Sequence, residues 1–314
     1  MKARALGGFV FYASLVLLVG WAFLSTPQEM NYDRVPQPLM PLARASIIFG
    51  GDMMFDRTIR TLLVREGEDY IFSCIKDVLH GADLALANLE GPITSHDSVS
   101  VGTAPGIEGN YTFTFPLSTA ELLKRHNIAL VNIGNNHIMN FGREGLAETK
   151  QKLSGVGVDF FGDPSGNTAL YKRVKGVPFA FVNYNEFLGT AESSIYGTLA
   201  EIKDAQKKGY VVIVYTHWGE EYAPVTPRVR QLAHTFVEAG ADIVLGSHPH
   251  VVQEHEIYKG AHIYYSLGNF IFDQYWEESV RRGLLVRVEF TPTGIVKVDE
   301  IPIDSQSDRR PCAE

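Results

Sequence analysis

Five apolar runs of strand length, each closing on a short polar motif and then giving way to a helical stretch, constrain this chain more than any other feature. Ser46–Phe49 leads into Gly50-Gly51-Asp52, Leu84–Ala87 into Asn88-Leu89-Glu90, and Ile128–Ile133 into Gly134-Asn135-Asn136-His137. Tyr210–Tyr215 leads into Thr216-His217-Trp218-Gly219, and Asp242–Leu245 into Gly246-Ser247-His248-Pro249-His250. Strand–loop–helix alternation of this kind predicts an α/β domain. In open α/β sheets ligands bind beyond the carboxyl ends of the strands. Five polar motifs at five such ends therefore predict one shared site.

Helix punctuation fits the same frame. Ser118-Thr119-Ala120-Glu121 reads as a capping box. Thr226-Pro227 reads as an N-cap followed by proline at the first helical position, and Gly240 as the stop. Later the pattern changes: Tyr171–Asn183 and Ala261–Phe272 read as strand pairs, and Leu284–Phe290 with Ile295–Ile301 as a hairpin. Mixed sheets are expected, not a purely parallel one.

The N-terminus suggests a compartment. Ala5–Leu24 is uncharged throughout, and as a helix it would span roughly 30 Å, the thickness of a bilayer's hydrocarbon core. Lys2 and Arg4 precede it, and Glu29 and Asp33 follow. That asymmetry predicts a single-pass anchor in the cell membrane with the domain extracytoplasmic. A cleaved signal peptide, with Gly20-Trp21-Ala22 near the cut, and a buried core helix are the other readings. Residues 1–26 are thus the expected anchor, 27–44 a proline-rich linker, 45–304 the folded domain and 305–314 a loose tail.

A net charge of −8 argues against nucleic acid as a partner. With only Cys74 and Cys312, neither a disulfide framework nor a multi-cysteine zinc site can be built, and Cys74 falls on the apolar stripe Ile71, Ile75, Val78 as a core residue. The strand-end residues Asp52, Glu90, Asn136, His217, His248 and His250 mix oxygen donors with imidazole. Such a set suits one or two divalent ions, Zn²⁺, Mn²⁺ or Fe, which can polarise a phosphoryl or amide oxygen. Arg57 could meet a substrate phosphate or carboxylate. Trp218 reads either as a wall of the site or as cover for the sheet end.

Gly51-Asp52-Met53-Met54 with Arg57, Asn88-Leu89-Glu90-Gly91-Pro92, Asn135-Asn136-His137, His217-Trp218-Gly219-Glu220-Glu221-Tyr222, Gly246-Ser247-His248-Pro249-His250 and Tyr265-Ser266-Leu267-Gly268-Asn269-Phe270 occur in this order. With them the chain strongly resembles the CapA family of poly-gamma-glutamate capsule synthesis proteins, which look like members of the calcineurin-type metallophosphoesterase superfamily. The resemblance runs from about Ile47 to Phe272. It implies a four-layer α/β/β/α sandwich and a two-metal site. Asp52 and His250 would serve the first ion, Asn136, His217 and His248 the second, and Glu90 would bridge. His137 would be the general acid beside the leaving group.

Two departures accompany the resemblance. Met54 stands where the superfamily has a histidine ligand, and Asn140 where the family usually has an aspartate behind its motif histidine. A thioether is a poor ligand for a hard ion; an asparagine can accept a hydrogen bond from the imidazole but brings no charge. Two functions stay open. One is a metal-dependent hydrolase of phosphate-ester or amide bonds in capsule or envelope polymer metabolism, favoured by His137. The other is a non-catalytic, metal-assisted binder of an anionic polymer within a synthesis or export complex, favoured by Met54 and Asn140.

Overall fold

The structure, a computed structural model, describes residues 42–166, 169–188, 191–305 and 308–314. The expected anchor and nearly all of the expected linker lie outside the described residues. No helix among the described residues is long and apolar enough to cross a membrane.

The chain runs β1 (Ala45–Met53), α1 (Arg57–Glu66), a 3-10 turn (Glu68–Phe72), α2 (Lys76–His80), β2 (Leu84–Leu89), α3 (Thr119–Arg125), β3 (Ile128–Asn132), α4 (Gly142–Val156) and β4 (Asp159–Phe161). It continues through β5 (Leu170–Val174), β6 (Val177–Asn185), α5 (Ala191–Lys207), β7 (Val211–His217), α6 (Pro227–Ala239), β8 (Ile243–Ser247), β9 (His255–Tyr258) and β10 (Ala261–Tyr264). It closes with β11 (Asn269–Ile271), α7 (Glu278–Arg281), β12 (Arg282–Thr291), β13 (Gly294–Ser305) and β14 (Pro311–Ala313).

Two mixed sheets result. One orders its strands β14-β13-β12-β1-β2-β3-β4, with β11 also pairing β1; the other runs β5-β6-β7-β8-β10-β9. β1 to β4 are parallel, and the hairpin β12–β13 joins β1 antiparallel. In the second sheet β6, β7, β8 and β10 are parallel between antiparallel edges.

Side-chain alternation makes the layers. In β1, Ile47 and Phe49 face Phe179, Phe181, Ile213 and Leu245 of the second sheet, while Ile48 packs with Ile59, Leu122 and Leu146 of the helices behind. Val182, Val212 and Val214 turn the other way, onto Ile202, Leu232 and Phe236. Strands buried on both faces read as nearly continuous apolar runs, which is why these segments stood out. The order is helices, sheet, sheet, helices.

At the rim the backbones come unusually close. A Cβ on Gly51 would sit 1.8 Å from the Gly268 carbonyl oxygen, and one on Gly246 equally near that of Tyr265. Only glycine lets these chains pass, so β11 can lie against the end of β1, where Asp52 N donates to Gly268 O (3.0 Å).

Several expectations need correction. Ser118 precedes α3, but its backbone is already helical and its side chain makes no capping bond, so there is no capping box. Thr226 does cap α6, accepting from Val229 N, with Pro227 behind it and Gly240 at φ +118° ending the helix. Ala261–Phe272 is not one strand pair, because β10 and β11 belong to different sheets. The expected loose tail holds a strand: β14 pairs with β13, and Cys312 is disulfide-bonded to Cys74. Cys74 is exposed, not a core residue. A bridge between residues 238 positions apart leaves no spacing signal in the sequence.

The bridge closes a loop of most of the domain, and a native disulfide typically contributes about 2–4 kcal/mol. Cys74→Ser should lower stability by about that amount in calorimetric unfolding. A melting temperature unchanged from the oxidised parent would show that β14 is held by its ladder alone.

Candidate metal centre

Strand ends of both sheets meet at one rim. Asp52 lies at the end of β1, Glu90 just past β2, Asn136 in the loop after β3, His217 at the end of β7, and His248 and His250 just past β8. The structure brings all six together. Asp52, Glu90, His217, His248 and His250 are buried. Ligand atoms of Asp52, Glu90 and His217 lie within 4.8 Å of one another, as do those of Glu90, His248 and His250. Glu90 is common to both groups. His248 (φ +96°) and His250 (φ +58°) have left-handed backbones, a conformation that carries strain outside glycine and clusters at functional sites.

The surrounding groups bracket each ring. Ser247 Oγ, which donates to Thr216 O (2.8 Å), lies 2.9 Å from His217 Nδ1, and Asn88 Nδ2 lies 3.3 Å from the same nitrogen. His217 Nε2 lies 2.9 Å from Asn136 Oδ1, which brings these two candidate ligands together. Asn269 donates through Nδ2 to Gln274 Oε1 and Val280 O, so its Oδ1 accepts from His250 Nδ1–H (2.9 Å). His250 Nε2 therefore points its lone pair toward Glu90 Oε1, 3.6 Å away. Both Glu90 carboxylate oxygens and His248 Nδ1 are buried without a hydrogen-bond partner. Carboxylate oxygens and imidazole nitrogens converging on one buried point fit a divalent cation.

The electrostatics agree. Burial pushes the Asp52 carboxyl up to about 6, against the lowering effect of bonds from His248 N and Asn88. Burial, then the charge of Asp52, holds Glu90 well above the usual carboxylate range. Burial drives His217 well below the ordinary imidazole value, His248 to about 4 and His250 to about 3. A buried ligand set holds protons on carboxyls and keeps imidazoles neutral when no countercharge is near, and a cation inverts that preference for the carboxyls.

An asparagine ladder supports the cluster. Asn183 Nδ2 donates to Asn132 Oδ1 (2.9 Å), Asn132 Nδ2 to Asn88 Oδ1 (2.9 Å), and Asn88 Nδ2 to Asp52 Oδ1 (2.8 Å). Asn135 Nδ2 donates to Asn88 Oδ1 as well, and its own Oδ1 takes the backbone N–H groups of His137 and Ile138, shaping the turn that carries Asn136 and His137. Sequence reasoning missed these supporting roles. The available signal was an asparagine interrupting otherwise apolar strands, at Asn132 and Asn183.

Other site residues fall differently. Met54 is fully buried in the helix-side core, and its sulfur accepts from Asp56 N. Arg57 is not a free cation for substrate: its guanidinium is ion-paired with Asp273, donates to Asn110 Oδ1, and lies over the rings of Phe113 and Phe272. Trp218 does not wall the site but is buried under α6, donating to Tyr265 O. His137 Nε2 lies 3.9 Å from Glu90 Oε1. Asn140 Nδ2 donates to Tyr111 O (2.9 Å) and faces His137 Nδ1 at 3.2 Å. The Tyr111 carbonyl and Asn140 both favour the protonated ring. Burial, with Arg57 adding to it, lowers His137 to about 4, so the ring is neutral at pH 7.

Comparison with known proteins adds a relationship. The model of the bacterial capsule synthesis protein family PGA_cap matches residues 46–274. The PGA biosynthesis protein CapA of Bacillus subtilis is 31% identical over 276 residues, covering 82% of this chain and 71% of the relative. The capsule biosynthesis protein CapA of Bacillus anthracis is 30% identical over 276 residues, covering 82% and 66%. A probable polyglutamine synthesis accessory protein of Mycobacterium tuberculosis is 28% identical over 218 residues, covering 61% of this chain and 56% of its own.

Asn88→Ala removes the donor to Asp52 and the acceptor shared by Asn132 and Asn135. Buried groups left unpaired cost about 1–3 kcal/mol each, so urea unfolding should show a loss of about 2–4 kcal/mol. A loss below about 0.5 kcal/mol, the scale of an ordinary surface change, would remove the ladder as a support.

Proposed function

The chain belongs to the bacterial capsule synthesis protein family, and from that premise we propose that it is a metal-dependent hydrolase of phosphate-ester or amide bonds, held at the outer face of the cell membrane and acting on an anionic capsule or related envelope polymer. The observation that carries this reading is Glu90, whose two oxygens are buried, unpaired and faced by a bare imidazole nitrogen. The bridge Cys74–Cys312 supports an oxidising compartment, where disulfides persist. The uncharged run Ala5–Leu24 supports an anchor. The capsule synthesis names of the relatives support polymer synthesis or export proteins as partners.

Asp52, Glu90 and His250 would hold one divalent ion, and Glu90, Asn136, His217 and His248 a second; Mn²⁺, Zn²⁺ or Fe suits the donors. Such an ion, when bound, supplies Lewis-acid polarisation of a phosphoryl or carbonyl oxygen. The rest falls to the chain. Asn269 holds His250 in the ligating tautomer, and Ser247 positions the His217 ring. His137 presents Nε2 toward the cluster, within reach of a leaving atom, and Asn140 with the Tyr111 carbonyl orients the ring from its Nδ1 side. A second reading, metal-assisted binding of an anionic polymer without turnover, is favoured by the same Asn140, because His137 then lacks the carboxylate that would help it carry a second proton.

Elemental analysis of the purified full chain should find one or two divalent ions, strongly reduced in Glu90→Gln and His217→Ala. Unchanged content in both variants would sink the assignment. Because Asp52 and Glu90 hold protons in the metal-free protein, uptake should release protons, and affinity should rise with pH through about 6. Flat affinity between those protonation states would contradict ligation through Asp52.

Hydrolysis can be followed with p-nitrophenyl phosphate and γ-glutamyl p-nitroanilide. His137→Ala should keep the metal and lower turnover by about 10²–10⁴-fold. Turnover indifferent to His137 would remove its catalytic role, and no turnover in the metal-loaded parent would leave the binding reading.

A further inference from the structure

Beside the cluster, on the side of His250, opens a cavity of about 480 Å³, within the size range of small-molecule sites, roughly 300–1,000 Å³. Three aromatic rings line it and stay open to solvent: Tyr111 is 53% exposed, Tyr222 45% and Trp276 57%. Large aromatics so exposed and grouped at the mouth of a site leave apolar faces in water that a ligand can cover. Tyr222 is placed there at a cost, because its backbone is left-handed (φ +58°), a rare state for a bulky residue. Its ring stacks against His250 (6.0 Å between centroids) and meets the edge of Trp276 (5.5 Å).

The charges of this groove decide what it can take. The two charged residues lining it, Arg57 and Asp273, are ion-paired with each other. Glu221, exposed and next to Tyr222 in the chain, adds negative charge beside it. Such a groove offers no unpaired cation to a run of carboxylates or phosphates. What it does offer, beyond the rings, is neutral: the exposed side chains of Thr58 and Thr61. Aromatic faces flanked by neutral hydroxyls match the two sides of a pyranose ring, its C–H face and its hydroxyl edge.

We propose that this groove is a saccharide subsite, which binds one or two neutral sugar units of the substrate and so delivers the adjoining bond to the cluster. The proposal rests on the hydrolase reading for that last step, but sugar binding itself does not need metal. A relay connects the two places: Gln274 Nε2 donates to Tyr222 Oη (2.8 Å), Asn269 Nδ2 to Gln274 Oε1 (3.0 Å), and His250 Nδ1 to Asn269 Oδ1 (2.9 Å). A sugar seated on Tyr222 thus presses on the chain of bonds that orients His250.

The test titrates the full-length chain with cellohexaose, chitohexaose and, as the charged comparison, poly-γ-glutamate, read by calorimetry and by tryptophan fluorescence. At least one neutral hexasaccharide should bind and perturb the emission of Trp276. Trp276→Ala and Tyr111→Ala, both at exposed positions where folding is not at risk, should each weaken that binding by about tenfold, equivalent to about 1.4 kcal/mol. Tyr222→Phe keeps the ring and should keep sugar affinity while altering turnover. Response to neither hexasaccharide, affinity indifferent to Trp276→Ala, or poly-γ-glutamate binding that is lost in Trp276→Ala would each overturn the subsite. The metal-loaded parent separates the two readings: sugar binding by a parent that turns over neither reporter leaves the subsite standing and removes the hydrolase, whereas turnover without sugar binding does the reverse. Sugar binding lost in Glu90→Gln, which lacks metal but keeps the groove, would overturn the subsite as independent of metal.

Discussion

The buried carboxylate of Asp52 ties this structure together. Its Oδ1 is held from within the first sheet by Asn88, and its Oδ2 from the loop that follows the second sheet, by His248 N at 3.0 Å. One side chain therefore joins both sheets at the rim where their strands end. An isolated carboxylate in such a place would cost several kcal/mol. Its partners are consequently not optional, and they in turn need partners. Asn88 can serve Asp52 only with its oxygen turned toward Asn132 and Asn135, and Asn132 reaches on to Asn183 in the other sheet. The polar ladder crosses an otherwise apolar interior because each member satisfies the next.

Close backbone approach makes that geometry attainable. Gly51 and Gly246 occupy equivalent positions near the ends of β1 and β8, and each leaves room only for the carbonyl of the segment passing it. The inserted segment carries Asn269, which sets the tautomer of His250. Just past Gly246 the backbone turns left-handed at His248 and again at His250. Strain at these two residues is sustained by the rigid sheets on either side.

Two chemistries lie next to each other at the rim. The cluster is buried, rich in lone pairs and short of positive charge. The groove beside it is exposed, aromatic and electrically balanced, because Asp273 has claimed Arg57. Tyr222 belongs to both, with one face toward His250 and an edge toward Trp276. This division suits a polymer substrate whose recognised part and reacting part differ in chemistry.

Much was legible in the chain itself. Strands buried on both faces must be apolar throughout, so β1, β2, β3, β7 and β8 announced themselves. The residues that ended the apolar pattern, Asp52, Glu90, His217, His248 and His250, had no place in a core and had to meet at the strand ends. Local chemistry also predicted the cap at Thr226, since it depends only on the next three residues. The sequence could not say that Asn140 and His137 share the Tyr111 carbonyl, because a distant loop brings that carbonyl up. Nor could it say that Arg57 is neutralised by Asp273, or that Cys74 meets Cys312, since those pairs are 216 and 238 residues apart. Periodicity and local bonding are properties of neighbours along the chain, so sequence alone determined the strands, the mixed α/β class and the ligand candidates. The charge state of each group depends on what folding places beside it, and only the tertiary structure decided that.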